Sequence, residues 1–173
     1  MISGRNIVLV GFMGTGKTSV GKALAKKLGR SLVDIDRRIE DREKRKIKEI
    51  FEKEGEPYFR KLEKEVIREV SGEKRIVITT GGGAVLDSEN ISALKKNGIL
   101  VCLVAAPETI YRRVKNSENR PLLEAGDKLT EIKRLLSARE PCYRAADYQL
   151  RTDAQRPEQT AADILKLLED RPE

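Results

Sequence analysis

The run IVLVGFMGTGKT, residues 7–18, decides the fold. Four apolar residues, Ile7 to Val10, lead directly into eight positions that hold three glycines, a lysine and two threonines. Gly11, Gly16, Lys17 and Thr18 occupy the fixed positions of G-x-x-x-x-G-K-[ST], between an apolar strand and a helix-like stretch. That order has a physical reason. Glycines let backbone N–H groups turn inward around an anion, and the N-terminus of the next helix adds partial positive charge. Lys17 then reaches the β- and γ-phosphates, while the Thr18 hydroxyl is placed to ligate Mg²⁺. The bland alternative, a Gly-rich turn with an exposed lysine, does not account for the flanking strand and helix. A purine triphosphate with Mg²⁺ is the expected ligand.

Outward from this loop, short apolar runs alternate with amphipathic segments. Strands are predicted at IVLV (7–10), SLVDI (31–35), RIVITT (75–80), ILVCLV (99–104) and YQLR (148–151). The first, third and fourth are apolar on successive positions, as in strands covered on both faces. Val20, Leu24 and Leu28 share a helical face before Gly29, and Phe59, Leu62, Val66 and Val70 share another. A helix capped by Ser88 runs to Asn97-Gly98, and a last one runs from Pro157 to about residue 170. The charged stretch 37–75 is predicted as helix broken near Lys44–Lys46 and Gly55–Pro57, with most of its charges solvated. The polar segment 115–127 holds Pro121 and Gly126 and reads as a mobile loop. Strands alternating with helices mean an α/β fold, a parallel sheet between helical layers.

Composition bounds the function. A chain of 173 residues suits one domain with a sizeable core. The net charge of +7, from 35 Lys and Arg against 28 Asp and Glu, favours anionic partners without choosing among them; simple solubility explains it as well. Histidine is absent, which removes His-based triads, metal sites and proton relays. Cys102 and Cys142 are too few for a disulfide framework and lack metal-ligand spacing, so both are expected as reduced structural thiols. There is no signal-peptide pattern and no apolar run near about 18 residues, so a soluble, cytoplasmic protein is expected.

Further stretches narrow the acceptor. LVDID places Asp34 and Asp36 at the end of the second strand, where open α/β sheets bind ligands. Acids there hold metal waters or accept protons from hydroxyls; helix capping by Asp36 is the alternative. Gly81, Gly82 and Gly83 after the third strand permit close approach by a ligand, or simply form a tight turn. FRKLE offers Arg60, NRPLL offers Arg120 and SAREPCYR offers Arg139. Each alone reads as surface charge.

Taken in order, GFMGTGKT, DID, FRKLE, GGGAV, RPLL and ARxPxY span almost the whole chain and resemble shikimate kinase. The resemblance implies a P-loop, nucleoside-kinase-like three-layer fold with a five-stranded parallel sheet in the order 2-3-1-4-5. It also implies phosphorylation of the 3-hydroxyl of shikimate by ATP with Mg²⁺, in the pathway to chorismate and the aromatic amino acids. Residues 1–173 would then form one kinase domain, with a lid at about 115–127 and a substrate-binding helical region at about 36–72. By position, Gly14, Thr15, Gly16, Lys17, Thr18 and Ser19 would hold phosphate, and Thr18 and Asp34 would hold Mg²⁺. Asp36, Arg60, Gly82 and Arg139 would bind shikimate, the two arginines through its carboxylate. Arg120 would close over the phosphates, making Lys17, Asp36 and Arg120 the catalytic set. Arg113 and Pro157 fall where adenine is lined. Thr79 stands where many P-loop enzymes carry an acid, a departure that shikimate kinases share.

Two alternatives compete. A related kinase for gluconate would meet a similar acid, but FRKLE and RPLL argue against it. A nucleic-acid module lacks support, since only three Phe and four Tyr are present and none interleave with basic residues. The expected partners are ATP and shikimate, with no nucleic acid, no membrane and a monomeric state.

Overall fold

The computed structural model describes residues 4–116 and 127–170. Arg120 and most of the expected lid lie outside the described residues. The strands are β1 (Asn6–Gly11), β2 (Leu32–Asp34), β3 (Val77–Thr79), β4 (Gly98–Val104) and β5 (Tyr148–Arg151). All pair in parallel, in the order β2-β3-β1-β4-β5. The topology is the one the resemblance implied.

Each strand of the centre is buried because both of its faces are covered. Along β1, Ile7 and Leu9 face one core, shared with Val20 and Leu24 of α1 (Lys17–Leu28) and Ile164 of α8 (Pro157–Glu169). Val8 and Val10 face the other, shared with Phe59, Leu62 and Val66 of α4 (Glu56–Val70) and Leu94 of α5 (Ser88–Asn97). Fully burying one such side chain contributes about 1.5–3 kcal/mol, so the double coverage fixes the register of the central strands.

The charged stretch folds as three helices: α2 (Ile35–Glu43), α3 (Ile47–Glu54) and α4. The breaks fall where expected. Lys44 takes a left-handed conformation at φ 53, and Gly55 at φ 82 precedes Pro57 in the first turn of α4. Arg45 joins Glu43 and Glu54 at 2.9 and 3.2 Å, and Tyr58 donates to Glu43, so the α2–α3 turn is tied to the start of α4. At α5 the cap is Asp87, which accepts from the Glu89 N–H at 2.8 Å, and Ser88 is already helical. Asp has the longer acceptor reach and its carboxylate favours the positive helix end, so it displaces the expected serine.

α6 (Pro107–Val114) and α7 (Lys128–Tyr143) complete the helices among the described residues. None of these helices is long and apolar enough to cross a membrane. Cys102 is buried in β4 and burial pushes its thiol up to about 11; both cysteines are free.

Candidate active site

The loop after β1 turns into α1 through Gly16, whose φ of 96 is strained for residues with a side chain. Lys17 is 9% exposed, and its Nζ donates to the carbonyls of Gly11 at 2.7 Å and Phe12 at 2.9 Å. The ammonium is therefore seated within the loop itself. Thr15 Oγ1 donates to the Phe12 carbonyl at 2.7 Å, closing the turn. A second tie comes from beyond β5. Thr152 Oγ1 donates to the Thr15 carbonyl at 2.8 Å, and Arg113 Nη1 donates to the Gly14 carbonyl at 3.0 Å and to Thr152 Oγ1 at 3.1 Å. Arg113, read from sequence as adenine-lining, thus has its guanidinium edge in a clasp on the loop. Pro157 opens α8, a few residues beyond that clasp.

β2 ends at Asp34 and α2 begins at once, so Asp36 lies in the first helical turn and not on the strand. The helix cap is Asp34, whose Oδ1 accepts from the Arg37 N–H at 3.0 Å. Its Oδ2 accepts from Thr79 Oγ1 at 2.8 Å and stands 3.4 Å from Thr18 Oγ1. Asp34 and Thr79 are register partners on β2 and β3. An acid therefore stands beside Thr79, on the neighbouring strand.

Two residues after Thr79 the three glycines meet the charged groups one by one. A Cβ on Gly81 would stand 2.9 Å from Asp36 Oδ1 and 3.3 Å from Glu63 Oε2. On Gly82 it would stand 3.2 Å from the Met13 nitrogen and 3.4 Å from Arg139 Nη1, and on Gly83 it would be 2.6 Å from Arg60 Cζ. None of the three has a positive φ. Side chains of the site press against Gly81 and Gly83 and the Met13 backbone against Gly82, a close approach made by the protein's own residues.

Arg60 is held on its own helix by Glu63 at 2.9 Å and Glu56 at 3.1 Å. Burial would lower its pKa, but Glu63 and Glu56 outweigh it and the net shift is upward. Glu63 is 1% exposed, and its Oε2 has no hydrogen-bond partner among the described residues. Burial pushes its carboxyl up to about 7 against the pull of Arg60, and Asp36 adds to the rise. Glu63 was missed in the sequence; its signal is the i,i+3 spacing from Arg60 within FRKLE. Arg139 is 4% exposed on α7, over the Phe12 ring at 5.6 Å, and its Nη1 also has no hydrogen-bond partner among the described residues. Tyr143, likewise missed, donates from its hydroxyl to the Gly82 carbonyl at 2.7 Å.

A cavity of about 970 Å³ collects Thr18, Asp34, Asp36, Arg60, Gly82 and Arg139 on one wall system. Arg113 and Pro157 are not among its lining residues. Arg60 and Arg139, Asp34 and Asp36, and the phosphate-type loop at Met13 and Thr18 therefore share one depression at the C-terminal ends of β1, β2 and β3. Such a depression can hold a small acid with hydroxyl groups against a phosphate donor. Thr18 and Asp34 are hard oxygen donors, the type that suits Mg²⁺ when waters and phosphate complete its shell.

The family model for shikimate kinase matches residues 13–169. Among curated proteins, the shikimate kinase of Thermodesulfovibrio yellowstonii is 49% identical over 162 residues, covering 94% of both chains. That of Caldicellulosiruptor saccharolyticus is 48% identical, covering 94% of this chain and 95% of the relative. Among solved structures, shikimate kinase from Acinetobacter baumannii in complex with shikimate superposes with a TM-score of 0.92 at 41% identity, covering 95% of this chain and 92% of the other.

Proposed function

Because the chain belongs to the shikimate kinase family, and is thus a small-molecule kinase, we propose that it moves the terminal phosphoryl group of ATP onto the 3-hydroxyl of shikimate. One observation carries the acceptor half: Arg139 Nη1 is a buried donor beside Gly82 with no hydrogen-bond partner among the described residues. Buried donors are rarely left unmatched, and an anionic ligand at this point would match it. Arg60 stands at the next glycine, so two guanidinium groups flank one turn and suit a carboxylate.

In this reading the backbone of Gly14 to Gly16 and the α1 N-terminus, with Ser19 in its first turn, bind the phosphates. Lys17 exchanges its loop carbonyls for phosphate oxygens. Arg120, outside the described residues, is assigned to the same charge by its place in NRPLL. Thr18 and Asp34 hold Mg²⁺, which when bound neutralises charge on the phosphate oxygens. Asp36 orients the acceptor hydroxyl and takes its proton. Transfer of this kind asks mainly for alignment and charge stabilisation, which these residues supply. Arg113 and Pro157 line the adenine. The enzyme then works as a cytoplasmic monomer on ATP and shikimate, with no nucleic-acid or membrane partner.

The test is ADP release with ATP and Mg²⁺, with shikimate present and absent, for the parent and for Lys17→Met. Shikimate should raise ADP release strongly in the parent, and Lys17→Met should abolish it while the circular dichroism stays unchanged. Release indifferent to shikimate, or a Lys17→Met variant within a few-fold of the parent, would sink the reading.

A further inference from the structure

Tyr143 lies one helical turn beyond Arg139 on α7 and is 4% exposed. Its proton is committed to the Gly82 carbonyl at 2.7 Å. A hydroxyl has one proton and two lone pairs, so its oxygen remains an acceptor. Burial drives the phenol pKa upward, and the Arg139 guanidinium one turn back on α7 works against the rise. The hydroxyl thus holds the Gly82 peptide, and Arg139 Nη1, with no hydrogen-bond partner among the described residues, stands beside the same glycine. Because a trans peptide is planar, with C=O and N–H opposed, fixing the Gly82 carbonyl also fixes the direction of the Gly83 N–H. Gly83 is the residue against which Arg60 packs.

We propose that Tyr143 is a positioning residue for the acceptor site: its hydroxyl sets the Gly82–Gly83 peptide in one orientation against the Arg139 and Arg60 forks, so that the substrate carboxylate meets donors already aimed. The inference rests on the reading of Arg139 as the carboxylate site. A buried tyrosine bonded to a loop carbonyl can serve stability alone. Here the carbonyl it holds belongs to Gly82, a wall of the cavity beside Arg139.

Tyr143→Phe keeps the ring and removes the hydroxyl. Shikimate should bind about tenfold more weakly as the glycine turn loosens beside the two arginines, while the dissociation constant for ATP alone stays within twofold. An analogue lacking the carboxylate should be affected much less than shikimate. A lower melting temperature with shikimate affinity within twofold of the parent would overturn the inference and leave Tyr143 a structural residue. Parent protein that failed to bind shikimate would instead overturn the reading of the site, and this inference with it. Should Tyr143→Phe fail to fold, 3-fluorotyrosine placed at 143 keeps the hydroxyl. Its ¹⁹F resonance should shift with shikimate at saturations that follow binding, and stay put with ATP alone. An unmoved resonance on shikimate binding would overturn the proposal by itself.

Discussion

Arg139 and Arg60 are both cations at the glycine turn, yet their surroundings differ. Arg60 is held by two acids on its own helix, whereas Arg139 rests on the Phe12 face and keeps one nitrogen without a hydrogen-bond partner among the described residues. The planar fork is what the second arrangement uses. Arg139→Lys retains the charge and loses the two parallel donors, so shikimate should bind at least about tenfold more weakly, with ATP binding little changed. Calorimetric titration of each ligand alone measures both. If shikimate and an analogue without the carboxylate suffer equally, Arg139 is not the carboxylate site.

Among elements, the turn after β3 places the site most directly, because α2, α4 and α7 each bring a charged side chain to one of its glycines. Gly83 sits at φ −97, a conformation any residue adopts, so its lack of a Cβ serves only the approach of Arg60. Gly83→Ala should therefore fold normally, displace the Arg60 guanidinium, and weaken shikimate by about tenfold while sparing ATP. Unchanged shikimate binding in that variant would show that Arg60 is free to move without cost. α7 itself carries little apolar patterning: its buried residues are Ile132, Arg139 and Tyr143, two of them polar. Helical spacing is present but hidden, since the inward face mixes the core residues Ile132 and Tyr143 with the charged Arg139.

Across the whole molecule, the missing histidines leave Glu63 with an unusual share of the pH response. Its carboxyl is raised to about 7 in the folded chain by burial, against an ordinary value of 4.5. The folded state then holds a proton that the unfolded chain has released, so stability falls as pH rises through that window and levels off above it. The acids shifted downward, such as Asp87 and Asp153, have the opposite sign, gaining stability above their unfolded values near 3.8, and are saturated before this range. Between pH 5.5 and 7.5 the parent should lose on the order of 1–2 kcal/mol in urea unfolding, and Glu63→Gln should flatten that slope. A slope equal in both would place the titration elsewhere.

The phosphate loop, all five strands and the breaks in the charged stretch were legible from sequence because each is local. A glycine pattern, an apolar run or a Gly-Pro break states its own conformation within a few residues. The order of the strands and the roles came with the resemblance, carried by motifs in sequence order. Only the tertiary structure decided which groups meet. Asp34 serves Thr79 across a strand pair, Asp36 and Glu63 converge on Gly81 from two helices, and Arg113 grips Gly14 from 99 positions away. Glu63 and Tyr143 escaped notice for the same reason: a buried carboxyl and a buried phenol look like surface charge and core ring until packing shows what their polar atoms touch. Desolvation and hydrogen bonding act on distance in space, and no local pattern in the chain encodes that distance.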